Sequence, residues 1–353
     1  MIPNELLLRC VEAAIRAPSG DNCQPWAFGL APPDRLTVSI RPDRAKSFFD
    51  FRHCGTFLSV GAVIENVRTQ AAGDGFGTAV ERPGGASLDE PAAVLRLVAD
   101  SRAQAAASRV QAIYTRTVNR RPFLPRRASG QVREALLAES GSGATVELID
   151  DRKAIGRWAR AIYLADRIRY SHPVIHQELF ARILFDRQTA QQARLGLEID
   201  RLGAGPFPAA LMRFLRPWDR ISRWNRIGLA RVLANHSRLL ALSSGSLVLM
   251  TISATAPEDW IRAGETMQRL WLIAEERGLC VHPMTICLYL TQRYRAEGME
   301  NFLPEHEPVV KKMSDEVDEL LQGRTGAMIF RLGRGVAMRD QAVRLPPEQF
   351  IRA

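Results

Sequence analysis

The chain of 353 residues has almost no lysine: Lys46, Lys153, Lys311 and Lys312 are its four, so 44 of its 48 cationic side chains are arginine. A surface that holds nucleic acid or membrane by diffuse attraction clusters its cations in runs. Here they are interleaved with 38 Asp and Glu, and the net charge of +10 is spread along the chain. Most of this arginine reads as solvated or ion-paired surface; what arginine offers beyond lysine is planar, forked contact with anions. Cysteine is sparse as well. Cys10, Cys23, Cys54, Cys280 and Cys287 form an odd set with no C-x-x-C and no metal-type histidine spacing, which argues against a disulfide framework and a structural zinc. Long apolar runs are missing too. Leu239 to Ala256 is broken by Ser243, Ser244, Gly245 and Ser246, and Glu5, Arg9 and Glu12 interrupt the N-terminal stretch, so neither a membrane span nor a signal peptide is expected. The composition, 46% hydrophobic and 24% charged, is that of a globular protein, expected in the cytoplasm, with length for one large domain or two fused units.

Residues 4 to 17 carry Leu7, Val11, Ala14 and Ile15 on one helical face, with Asn4 placed to cap and Pro18 to stop. The stretch Ser19, Gly20, Asp21, Asn22 is turn chemistry, and strand-like patterns follow at Trp26 to Leu30 and Leu36 to Ile40. A helix is expected from about Thr56 to Ala72 and a buried strand at Ala93 to Val98. Gly73, Gly75 and Gly77 follow a helix and open none, the wrong setting for a dinucleotide turn.

The segment beginning at Gly61 aligns without gaps with the one beginning at Gly264, at an offset of 203 that pairs Glu65 with Gln268, Ala71 with Ala274 and Gly75 with Gly278. A weaker echo sets Ser19-Gly20 against Ser140-Gly141. The pattern predicts two copies of one unit, residues 1–110 and 111–353, the second enlarged by a helical insert at about 155–245. Helical spacing runs over 154–170, 174–185 and 219–242, punctuated by His172-Pro173 and by Gly203 to Pro208. The insert is basic and holds Trp158, Trp218 and Trp224, which suits a lid or packing layer better than a membrane-surface helix. His172 and His176 stand four apart without an acidic partner in metalloprotease register, so packing is expected of them and not metal.

Two segments carry the chemistry. Thr115 to Phe123 gathers Arg116, Thr117, Asn119, Arg120 and Arg121, an inventory of donors that grips a phosphate and serves equally as a basic linker. Pro18 to Trp26 offers turn amides with Asn22 and Gln24, whose side chains suit a heteroaromatic edge or a well-capped turn. Together, Ala14-Ile-Arg-Ala-Pro-Ser-Gly-Asp-Asn-Cys-Gln-Pro-Trp26, the helix Gln268 to Leu279 with Pro283, Met284 and Thr285 behind it, and the tail Arg331 to Arg334 with Arg344 resemble the nitroreductase-like family of flavin mononucleotide (FMN) oxidoreductases, in its tandem single-chain (Acg-like) branch. The arginine segment departs from the family spacing.

The resemblance implies a mixed α+β fold of two half-repeats, each a β-sheet flanked by helices, forming an intrachain pseudo-dimer or a homo-oligomer. It implies FMN as cofactor, NADH or NADPH as electron donor and a small organic acceptor as substrate, while the scattered charge argues against a nucleic acid partner. A flavin-storing protein with a covered pocket and little turnover is the alternative. By the same resemblance Arg116, Thr117, Asn119, Arg120, Arg121 and Arg344 would take the phosphate, Pro18, Ser19, Gly20, Asn22 and Gln24 the ring and ribityl chain, and the amides of Pro283, Met284 and Thr285 would face the redox edge. Hydride transfer requires no side-chain acid or nucleophile, so no catalytic residue is expected. Copy one lacks the arginine segment, and copy two lacks Asn, Gln and Trp after Ser140-Gly141, so one FMN per chain is expected.

Overall fold

The computed structural model describes residues 4–82, 88–100, 102–141, 143–202, 206–338 and 341–352. Gly203 to Gly205 of the expected punctuation lie outside these, as does the Asn4 side chain. The first half contains α1 (Asn4–Ala14), β1 (Trp26–Ala31), β2 (Arg35–Ile40), α2 (Cys54–Gly73), β3 (Phe76–Glu81), β4 (Pro91–Ala99) and α3 (Ala107–Thr115). The second begins with α4 (Gly130–Leu137), β5 (Thr145–Ile149), α5 (Arg152–Ser171), α6 (Pro173–Arg182), β6 (Ile183–Leu184), α7 (Arg187–Ala193), β7 (Leu197–Glu198), α8 (Pro206–Leu215), α9 (Trp218–Asn225) and α10 (Leu229–Leu242). It closes with β8 (Ser246–Ile252), α11 (Pro257–Glu276), β9 (Cys280–Pro283), α12 (Ile286–Glu297), α13 (Glu307–Leu321), β10 (Thr325–Gly333) and β11 (Ile351–Arg352). This is a mixed α/β architecture. Among the described residues no helix is long and apolar enough to cross a membrane.

Two sheets carry the halves, one ordered β11-β1-β2-β4-β3 and the other β5-β8-β10-β9. β11 pairs in parallel with β1 through Phe28 and Ile351, so the end of the chain returns to the first sheet, and α3 straddles the expected boundary at 110. One apolar core runs through both halves, from Leu6 and Trp26 to Trp271 and Phe350. At its centre α2 crosses α11 at the two glycines that the sequence offset pairs. A Cβ on Gly61 would strike the Ile261 carbonyl, and one on Gly264 the Leu58 carbonyl, so only glycine permits this approach. Buried polar groups lock the crossing: Gln268 Nε2 donates to Asn66 Oδ1 at 2.7 Å, and Arg269 reaches Glu65 at 2.9 Å and Glu139 at 2.6 Å.

Three departures from sequence pattern have local causes. The 219–242 stretch is two helices, because Gly228 sits at φ +99 between α9 and α10. The insert is not purely helical, since β6 and β7 form a short parallel pair. β3 escapes the pattern because it is an edge strand of mostly half-exposed residues that alternates weakly. His172 and His176 are buried and hydrogen-bonded to the carbonyls of Asn301 at 3.2 Å and Arg216 at 2.9 Å, which accounts for them as packing.

Candidate functional site

The loop after α1 is held in an uncommon backbone. Asp21, Asn22 and Gln24 all adopt left-handed φ, 49°, 57° and 51°, a conformation that costs free energy unless its surroundings fix it. The surroundings do. The Gln24 amide donates to Ser19 Oγ at 3.0 Å, closing the turn, as the Val146 amide does to Ser140 Oγ at 2.9 Å in the second half. Asn22 Nδ2 donates to the carbonyls of Gly196 and Val343, and its Oδ1 accepts from Arg344 at 2.6 Å. Gln24 bonds the Arg194 carbonyl at 2.7 Å and the Leu345 amide at 3.1 Å. Three segments distant in sequence therefore converge: the loop, the insert at 194–202 and the tail at 341–345.

Two adjoining cavities open where they meet. The larger, about 300 Å3, is walled by Pro18, Ser19, Gly20 and Cys23 of the loop, by Trp271, His282, Pro283 and Thr285, and by Tyr289 of α12. The insert supplies Arg169 of α5 and Ile175, Glu178, Leu179 and Arg182 of α6. Glu178 fastens α6 over the cavity by accepting from the Phe48 amide at 2.8 Å and Ser47 Oγ at 3.2 Å. The smaller, about 90 Å3, is walled by Asn22, Arg116, Thr117, Arg201, Gln341 and Arg344 among others. Pro18, Ser19, Asp21, Val118, Arg120 and Leu197 line both.

The smaller cavity is cationic. Arg116, Arg120, Arg201 and Arg344 face Asp21 and Glu198, and Glu198 already pairs with Arg201 at 2.9 Å. Burial pushes Arg116 and Arg120 down to about 10 and Arg344 to about 9, with neighbouring guanidiniums adding to the fall at Arg344, yet all three stay charged at neutral pH. Arg116 stacks on the Trp271 ring at 4.4 Å and donates to the Arg16 carbonyl at 3.0 Å, while its Nε and Nη1 are buried without a hydrogen-bond partner. Buried cations with donors to spare are costly unless an anion joins them. The cradle matches an oxyanion such as phosphate in charge, while the Arg344 nitrogens already donate to the carbonyls of Ile15, Ala17, Ala342 and Val343 and to Asn22 Oδ1.

The expected site residues divide cleanly. Pro18, Ser19, Gly20, Asn22, Arg116, Thr117, Arg120, Pro283, Thr285 and Arg344 line one or both cavities. Four line neither cavity. Gln24 is fully buried and spends its amide on the insert and tail backbone. Asn119, 1% exposed, braces the Val336 carbonyl and the Arg121 amide, and Arg121 itself is an exposed residue outside both cavities. Met284 packs in the core of the second half. The 283–285 amides are also largely spent: Pro283 has none, and that of Met284 donates to the Ile329 carbonyl at 2.8 Å. Sequence reading missed Arg169, Glu178 and Arg201. These come from helical and turn positions of the insert that match no motif; their charge inside a basic insert was the only signal.

No family model matches the chain. A curated relative described as uncharacterized protein MT1398 of Mycobacterium tuberculosis (strain CDC 1551 / Oshkosh) is 27% identical over 326 residues, covering 91% of this chain and 44% of that protein. The chain thus spans less than half the length of the relative it matches. Among solved structures, a nitroreductase with bound FMN from Desulfitobacterium hafniense DCB-2 is similar at 13% identity and a TM-score of 0.36, covering 70% of this chain and 99% of that one. The FMN-dependent nitroreductase NfnB from Mycobacterium smegmatis, in complex with NADPH, is similar at 16% identity and a TM-score of 0.38, covering 70% and 97%.

Proposed function

We propose that this chain binds one FMN in the paired cavities and serves as a flavin-dependent oxidoreductase. The observation that carries the proposal is the junction itself: a largely apolar cavity of about 300 Å3 continuous with a cationic one of about 90 Å3, sharing the wall of Pro18, Ser19 and Arg120. That shape suits a flat aromatic ligand with an anionic tail. The residues that carry the family resemblance, Pro18 to Asn22 and Arg116 to Arg120, line it from opposite halves of the chain, in keeping with an intrachain pseudo-dimer of residues 1–110 and 111–353.

When bound, FMN supplies hydride and single-electron transfer. The chain's own residues bind, orient and exclude water. Arg116, Arg120, Arg201 and Arg344 would hold the phosphate. Ser19 and Gly20 would line the body of the ligand, with Trp271, Tyr289 and Leu179 forming the apolar walls of the larger cavity. α6, fastened by Glu178, narrows access, so the acceptor is a small organic molecule, of nitro, quinone or related electron-poor type, and a reduced nicotinamide is the donor. The test is a visible-absorbance titration with FMN followed by anaerobic NADH and NADPH. Bleaching supports the oxidoreductase; tight FMN that neither nicotinamide reduces supports flavin storage instead; no FMN binding refutes both.

A further inference from the structure

His282 lies on β9 and lines the larger cavity, and the direction of the hydrogen bond to its ring fixes its chemical state. Arg331 of β10 donates from Nε to His282 Nδ1 at 3.0 Å. A guanidinium has no acceptor, so Nδ1 must offer a lone pair, and a neutral imidazole then carries its proton on Nε2. Among the described residues Nε2 has no hydrogen-bond partner, and it is not among the enclosed unpaired atoms, which leaves it open at the cavity that the ring lines.

Arg331 is anchored for this task. It is fully buried, lies over the Phe123 ring at 3.9 Å, and donates to the carbonyls of Leu240 at 2.8 Å, Asn119 at 3.2 Å and Arg121. Among the described residues it has no carboxylate partner, so its charge is uncompensated and points through the imidazole. The groups facing His282 from every side agree: Arg331 on β10, Arg120 on the segment after α3, Arg169 on α5 and His236 on α10 all add to burial in disfavouring the imidazolium. A cation donating to Nδ1 also polarises the ring and strengthens the Nε2–H as a donor.

We propose that Arg331 fixes His282 as a neutral imidazole that presents Nε2–H into the larger cavity as the donor to an electron-rich oxygen or nitrogen of the bound ligand. The ligand half of this inference rests on the FMN reading above. Arg331 is the positioning residue and His282 the one that touches the ligand. The pair works without titrating: it remains a donor across the neutral range and favours whatever ligand state carries more negative charge at that point.

Nitrogen-15 NMR of the ligand-free protein tests the first half independently of flavin. The expected spectrum shows His282 neutral and Nε2-protonated from pH 5.5 to 8.5; an imidazolium at pH 6, or the Nδ1–H tautomer, overturns the proposal. The second half is read in the FMN complex by comparing dissociation constants for oxidised and reduced FMN in wild type, His282→Phe and His282→Gln. Loss of the donor in His282→Phe is expected to weaken reduced FMN about tenfold more than oxidised FMN, a fall of about 30 mV in the two-electron midpoint potential, with partial rescue in His282→Gln. An unchanged ratio overturns the ligand role while leaving the FMN site intact. A wild-type chain that binds no FMN overturns the cavity reading and the ligand half with it, whereas the tautomer result stands on its own.

Discussion

Arg116 should trade stability against affinity. The guanidinium is 3% exposed, is pushed down to about 10 by burial, leaves Nε and Nη1 unpaired and keeps Trp271 on one face at 4.4 Å. Without an anion it is a buried charge with incomplete hydrogen bonding. Arg116→Met keeps an apolar contact over Trp271 and removes that charge, so the ligand-free protein should be unchanged or up to about 2 kcal/mol more stable. The same change deletes a charge-assisted contact to phosphate of about 1.5–3 kcal/mol, which weakens FMN roughly 10- to 100-fold. Riboflavin, which lacks the phosphate, should bind both proteins alike. Fluorescence titration with the two flavins and denaturant unfolding of the ligand-free proteins read all three quantities. A variant several kcal/mol less stable whose preference for FMN over riboflavin is undiminished would make Arg116 a structural cation and not a phosphate ligand.

Gly61→Ala and Gly264→Ala each drive a Cβ into the facing helix backbone and should cost about 3 kcal/mol or more, seen as loss of the cooperative unfolding transition; mild effects would mean that α2 and α11 do not cross this closely. Glu178→Ala leaves the Phe48 amide unpaired and frees α6, so FMN release measured by stopped flow should quicken several-fold, while Glu178→Gln, which keeps an acceptor, should stay near wild type; equal rates in all three would show that α6 does not gate the cavity. Burial lowers His306 to about 4 and lowers His172 and His176 as well. A base depressed in the folded state adds stability that is complete above its unfolded value near 6.5 and lost as pH falls toward the folded value. The unfolding midpoint should therefore drop between pH 6.5 and 4.5, and His306→Asn should flatten that drop; a pH-independent midpoint would contradict it.

How far the sequence discloses this molecule depends on whether a residue's role is local. α1, α2, β1, β2 and β4 follow from periodicity and punctuation, and the convergence of Pro18 to Asn22 with Arg116 to Arg120 follows from a motif whose residues act where they stand. Gln24 shows the limit. Its amide is equally suited to a ligand or to backbone, and the insert and tail, far away in the chain, decide for backbone. Arg120 and Arg121 are adjacent and chemically identical, yet one turns into the cavity and the other to solvent, which strand and turn direction set and composition does not. β11 is two residues long and has no pattern of its own; it forms because β1 offers an open edge. His282 acquires its meaning only from Arg331, forty-nine residues away.

In the function proposed above, two halves of one chain build a single FMN site. Equilibrium titration of the purified chain with FMN, followed by separation of free flavin and quantitation against protein, tests it most directly. One FMN bound per chain is expected, with riboflavin held far more weakly if Arg116, Arg120 and Arg344 take the phosphate. Two FMN per chain, none, or riboflavin bound as tightly as FMN would contradict it.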